Sequence, residues 1–229
     1  MTSSPDDLFF TRTGLDRGRV GDLVADTAWS IRNGGAVPED LHHRGRSIDG
    51  TSAYLDRIAS AHRECVSVYR KPPGMFWAGK REMVNAPLTE IATPSLLWQV
   101  DADELWTADQ IEAVRSLFDA RPGATAAYFR CHYFVGPDRV ITSRDTYGNH
   151  SDYEWLRVWR YEPGDLWAAH EPPRLVRRTG DAESVDVASI DPIDHDTTEE
   201  IGAVFQHFAY ATEEQARFKE TYYGYADAV

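Results

Sequence analysis

Apolar positions follow two rhythms along the chain, and the change from one to the other outlines its elements. Tyr54, Leu55 and Ile58 recur at helical spacing behind the turn Ser47-Ile48-Asp49-Gly50-Thr51. Ile111, Val114 and Phe118 repeat that spacing behind Thr107-Ala108-Asp109-Gln110, whose end residues form a capping box. A second box, Thr212 to Gln215, opens a last helix with Phe218, Tyr222, Tyr225 and Val229 on its apolar side. Gly79 to Leu88 predicts another helix, with Pro87 near its end. Strand-like runs fall at Cys65–Tyr69, Ser95–Val100, Thr125–Val135, Arg139–Ser143 and Trp155–Tyr161. Pro72-Pro73-Gly74, Gly136-Pro137-Asp138 and Tyr147-Gly148-Asn149 supply the turns. The first 46 residues are less regular, with one strand expected at Val20–Trp29 and a loop at Asn33-Gly34-Gly35. Asp181 to Glu200 holds eight acidic residues and neither Lys nor Arg, and predicts a solvated loop. Helices alternating with strands, then mainly strands, imply an α/β fold with a mixed sheet. The length allows one domain over residues 1–229, or at most two small ones.

Composition narrows the function classes. Apolar residues make up 42% and aromatics 12% of the 229 residues, as a chain with a packed core requires. A net charge of −13 argues against nucleic acid and anionic membranes as partners of the surface as a whole. An acidic protein still binds a diphosphate where a local cation supplies the positive charge. Cys65 and Cys131 both lie in apolar runs and are expected to be reduced core residues. No run is long and apolar enough for a membrane span, and the start is polar and acidic, so a cytoplasmic location is expected.

The chemistry concentrates at Asp101-Ala102-Asp103-Glu104, between the strand-like Leu96-Leu97-Trp98-Gln99-Val100 and the Thr107 cap. Carboxylates so close repel one another, and a hard cation such as Mg²⁺ or Mn²⁺ relieves that repulsion. In extended backbone Asp101 and Asp103 project to one side, while Glu104 points away or caps the following helix. The alternative is that the acids only complement the helix dipole. In open α/β sheets ligands bind beyond the carboxyl ends of the strands, where this turn falls.

Three blocks together carry a family resemblance: Asp49-Gly50-Thr51 before a helix, Gly79-Lys80-Arg81-Glu82-Met83-Val84-Asn85-Ala86-Pro87-Leu88, and Leu96 to Glu104. In order and approximate spacing they resemble the family-two-like glycosyltransferases of the GT-A fold, a likeness covering about Ser47 to Phe118. Trp98–Thr107 and Phe205–Tyr225 also look like an uncharacterised bacterial subgroup of glycosyltransferase-like proteins. The resemblance implies a GT-A-like nucleotide-diphospho-sugar transferase fold, a mixed, mostly parallel sheet flanked by helices. It makes 47–120 the nucleotide- and metal-binding half and 121–229 the acceptor side. It assigns Asp49 to the base or ribose, Lys80 or Arg81 to the phosphates and Asn85 to the base pocket. Asp103 becomes a ligand of Mn²⁺ or Mg²⁺, Asp101 a contact to ribose or metal, and the late His207 a third ligand. The opening strand–turn–helix unit of the family has no clear counterpart in residues 1–46.

An inverting transfer needs a carboxylate to take the acceptor's proton. Glu171, held between His170 and Pro172-Pro173, and Glu154, at a strand entry, are the candidates. Trp106 is expected to line the site as a sugar-stacking face, although large aromatics are commonly core. His132 reads as a core histidine, and His42-His43 lacks further ligands at suitable spacing. The expected function is transfer of a sugar from a nucleotide-sugar donor to an acceptor hydroxyl, on a small molecule or a glycan. The alternatives are a non-catalytic nucleotide- or sugar-binding protein on the same fold and a metal-dependent phosphohydrolase. A homo-oligomer is left open.

Overall fold

The structure is a computed structural model that describes residues 42–142, 155–170, 172–180 and 183–216. The strand expected at Val20–Trp29, the loop at Asn33-Gly34-Gly35, the turn at Tyr147-Gly148-Asn149 and the apolar side of the last helix lie outside these residues. The chain divides into two compact units, 1–90 and 91–229.

In the first unit a two-residue hairpin, β1 (His42–His43) with β2 (Arg46–Ser47), precedes helix α1 (Thr51–Ala61). Gly50 opens that helix at φ 95°, a left-handed conformation that favours glycine. The Asp49 Oδ1 accepts from the Thr51 amide at 2.9 Å, so Asp49-Gly50-Thr51 is a helix-starting turn. Helix α2 (Lys80–Asn85) continues into a 3₁₀ turn, Ala86–Glu90, as the proline at 87 requires. The strand expected at Cys65–Tyr69 is absent: residues 63–65 form a turn and 66–70 have no ladder partner. Cys65 is exposed rather than part of a core. The apolar alternation there is real, but among the described residues no strand pairs with it to make a sheet. Tyr54 and Leu55 on α1 are also exposed, and among the described residues of this unit Leu88 is the buried apolar side chain.

The second unit holds the core. Its larger layers are two four-stranded sheets, built from β3 (Ser95–Trp98), β4 (Glu104–Leu105), β5 (Ala126–Tyr128), β6 (Cys131–Val135), β7 (Arg139–Thr142), β8 (Leu156–Tyr161), β12 (Pro192–Ile193) and β13 (Phe205–Tyr210). One sheet has the order β12-β5-β8-β3 and the other β4-β13-β6-β7. A three-stranded sheet of β9 (Leu166–His170), β10 (Pro173–Arg178) and β11 (Ser184–Asp186) is separate. Helix α3 (Ala108–Ala120) turns Val114 and Phe118 into the core with Phe129, Val158 and Phe205. Each such fully buried side chain stabilises the fold by about 1.5–3 kcal/mol.

The α/β class holds, but the sheets are mixed with antiparallel pairing in the majority. Among the described strands only β12 with β5 and β13 with β6 run parallel. Connection length accounts for part of this: β6 with β7 and β9 with β10 are hairpins, and a short turn can return a strand only antiparallel, whereas β3 with β8, β5 with β8 and β4 with β13 pair antiparallel across long connections. The expected single strand at Thr125–Val135 divides into β5 and β6, which belong to different sheets. Residues 183–200, expected as solvated loop, form β11, a 3₁₀ turn, β12 and helix α4 (His195–Glu200). The acids there are used: Asp194 caps α4 by accepting from the Thr197 amide, and Asp196 and Glu199 bind Arg130. Arg130 is the cation whose absence from the local segment suggested a loop.

Candidate functional site

Backbone pairing assembles the acidic turn. Strand β3 ends at Trp98, the turn runs through Asp101 to Asp103, and β4 follows at once. Glu104 then pairs with His207 and Leu105 with Gln206 in antiparallel register on β13. The Phe208 amide donates to the Asp103 carbonyl at 2.8 Å. The Gln110 side-chain amide ties the start of α3 to the β13 approach by donating to the Val204 carbonyl at 2.6 Å. Residues far apart in sequence thus share one register.

Two side-chain pairs result. Glu104 neither points away nor caps α3; its carboxylate is buried and held by Arg157. The Arg157 Nε donates to Oε1 at 2.9 Å and Nη2 to the same oxygen at 2.7 Å. The Arg157 Nη1 donates to the Leu156 carbonyl, and the Trp106 Nε1 donates to Glu104 Oε2 at 3.4 Å. The capping role belongs to Thr107 and Gln110, whose reciprocal bonds complete the predicted box. The Arg157 Nη2 also stands 3.5 Å from Asp101 Oδ2, so one guanidinium serves both the buried Glu104 and the half-exposed Asp101. A planar fork suits that double duty.

The second pair is Asp103 with His207. Their Oδ1 and Nε2 lie 3.6 Å apart, too far for a hydrogen bond. The other ring nitrogen, Nδ1, is buried with no hydrogen-bond partner among the described residues. Aromatic rings surround the imidazole: Tyr133 at 4.9 Å and Trp155 at 5.0 Å between centroids. The histidine therefore presents Nε2 towards Asp103 from an apolar cage. Oxygen donors with one imidazole suit a hard or borderline divalent ion such as Mg²⁺ or Mn²⁺. Neighbouring ligands of an ion with bonds of about 2.1 Å sit roughly 3 Å apart, so a small contraction brings Asp103 and His207 to that spacing.

The remaining predicted residues divide by unit. Trp106 is half-buried, stacked on Phe205 at 4.7 Å and edge-on to Trp98 at 4.8 Å, and its Nε1 faces Glu104. Asp49, Lys80, Arg81 and Asn85 belong to the first unit. The Asp49 carboxyl is held below the usual carboxylate range by its hydrogen bonds from Thr51. Lys80 and Arg81 open α2, and Asn85 Nδ2 donates to the Arg81 carbonyl at 2.9 Å. Glu154 and Glu171 lie outside the described residues. His132 is exposed on β6, not core. His43 is likewise exposed on its hairpin.

Sequence reasoning missed Arg157 as the anchor of the acidic turn. The signal was present: an arginine alternating with Trp155 and Trp159 on one strand must find a carboxylate if that strand is buried. Comparison of the chain with protein-family models, with curated proteins and with solved structures finds no match.

Proposed function

We propose that the protein is a metal-dependent glycosyltransferase that binds a nucleotide-sugar donor through a divalent cation at Asp103 and His207. The observation that carries this reading is the Asp103–His207 pair: an imidazole nitrogen directed at a carboxylate, not hydrogen-bonded to it, and reached only through the β4–β13 register. Asp103 and His207 would hold Mn²⁺ or Mg²⁺, with Asp101 as a further ligand or a ribose contact. The bound cation would offset the negative charge that develops on a diphosphate leaving group.

The chain's own residues prepare that site. Arg157 holds the turn through the buried Glu104 and also faces the Asp101 carboxylate, which leaves Asp103 as the acid facing His207. The aromatic cage excludes water from one edge of His207 and leaves Nε2 as its working nitrogen. The proposal extends to the donor contacts assigned by resemblance to Asp49, to Lys80 or Arg81, and to Asn85, and to Glu171 or Glu154 as the acceptor's base. Each is tested by its own alanine variant in a transfer assay.

The decisive measurement is thermal unfolding with a panel of nucleotide sugars, with and without Mn²⁺. At about 100 times Kd a ligand adds ~2.7 kcal/mol of stability, a shift of several degrees for a chain of this size. We expect a shift that needs both nucleotide sugar and cation and that is lost in Asp103→Ala. An unchanged shift in that variant removes the acidic turn as the ligand, and no shift with any donor removes donor binding altogether. A shift without sugar transfer identifies a binding protein rather than an enzyme.

A further inference from the structure

Among the described residues the one group of three ligating side chains whose atoms come together lies in the first unit, not at the acidic turn. Helix α1 ends at Ala61, and His62 is its C-cap, its amide donating to the Ile58 carbonyl at 3.0 Å. The His62 carbonyl in turn accepts from the Cys65 amide at 3.1 Å and the Val66 amide at 2.8 Å. This tight turn folds Cys65 back over the helix end. As a result one ligating atom each from His62, Glu64 and Cys65 all lie within 4.8 Å of one another. The Cys65 Sγ is 3.8 Å from Glu64 Oε1.

All three donors are exposed, open to an ion from solution. An imidazole nitrogen, a carboxylate oxygen and a thiolate together make a borderline-soft set, unlike the oxygen-rich set at Asp103.

We propose that His62, Glu64 and Cys65 form a surface site for one zinc ion, with the fourth tetrahedral position left to water. His62 binds as the neutral imidazole. As the Zn–S bond forms, the Cys65 thiol proton passes to solvent, and the ion stays divalent throughout. The site is independent of the glycosyltransferase reading, because it shares no residue with the acidic turn.

The test is alkylation of Cys65 by iodoacetamide in the full chain, followed by mass spectrometry; Cys131 is buried and serves as the internal control. One equivalent of Zn²⁺ is expected to slow Cys65 labelling about tenfold or more, whereas Mg²⁺ leaves the rate unchanged. His62→Ala and Glu64→Gln should each restore most of the rate, since loss even of a supporting group costs about 10–100-fold in affinity. Asp103→Ala should retain full protection. The proposal is overturned if Zn²⁺ does not protect Cys65, if protection survives intact in both His62→Ala and Glu64→Gln, or if Asp103→Ala abolishes it.

Discussion

Arg157 is the residue on which the acidic turn depends. Its partner carboxylate on Glu104 is fully buried, so removing the guanidinium strands a charge inside the protein. Arg157→Met is expected to destabilise the fold by about 3–5 kcal/mol, read as a lowered urea midpoint at unchanged slope. The double variant Glu104→Leu/Arg157→Met should lie much closer to the wild type, because an apolar pair carries no desolvation cost. If the double variant is no better than the single, the arginine acts through something other than that carboxylate. At this scale the sequence was legible for charge and position but not for direction. Asp101 and Asp103 could be singled out because they follow a strand. That Glu104 turns inward depends on Arg157, which lies on another strand, and no local pattern reports such a partner. Trp106 is similar: its neighbours Trp98, Phe129 and Phe205 come from other parts of the chain, and its spacing alone does not name them.

Elements with complete local signals were the ones read correctly. The Thr107 box, followed by apolar residues at helical spacing, delivers α3 one residue later, and both reciprocal bonds form. Thr107→Ala should therefore cost ~1 kcal/mol, measured by chemical denaturation. Cys65–Tyr69 failed because alternation is only half of a strand; the other half is a partner, and none is near in the ladder. The acidic segment before residue 200 failed for the opposite reason, since its counter-charge Arg130 comes from the loop between β5 and β6. Helix α4 in that segment carries a pH dependence. Burial, then the nearby Arg130 charge, pushes the His195 pKa down, while Asp194 and Asp196 oppose it. The folded state therefore binds fewer protons than the unfolded state between the depressed pKa and the ordinary value of about 6.5. Stability should fall as pH drops through that window and be fully recovered above it. His195→Gln should flatten the dependence of Tm between roughly pH 5 and 7; an unchanged slope would exclude His195 as its source.

Over the whole chain, stability is unevenly distributed between the two units. With Leu88 excepted, every buried apolar side chain among the described residues belongs to 91–229. A fragment spanning 91–229 is expected to unfold cooperatively on heating, with a near-ultraviolet circular dichroism signal from its packed tryptophans. A fragment that shows neither would mean that the core needs residues before 91. The boundary itself was not legible, because residues 47–120 read as one half on the strength of spaced motifs. Motif spacing records chain order, whereas compactness records which side chains are shared, and α1 and α2 contribute little to any core. The α/β class was legible from the alternation of periods. The direction of the ladders was not, since β3, β4 and β5 pair antiparallel with strands far along the chain, which no local pattern records.

The order β4-β13-β6-β7 also has a consequence for biosynthesis. The strand β13 is the last of the four to be made, yet it lies in the interior of its sheet, between β4 and β6. Until residue 210 has left the ribosome, β6 and β7 can pair only with each other, leaving the inner edge of β6 with unsatisfied amides and carbonyls. Such an edge is a template for another strand, and long-range closure of this type is slow. Nascent chains stalled before residue 205 should therefore be sticky and dependent on chaperones, and those stalled well beyond 210 should not. The same event brings His207 to Asp103, so the pair on which the proposed cation site rests is created by the step that removes the hazard.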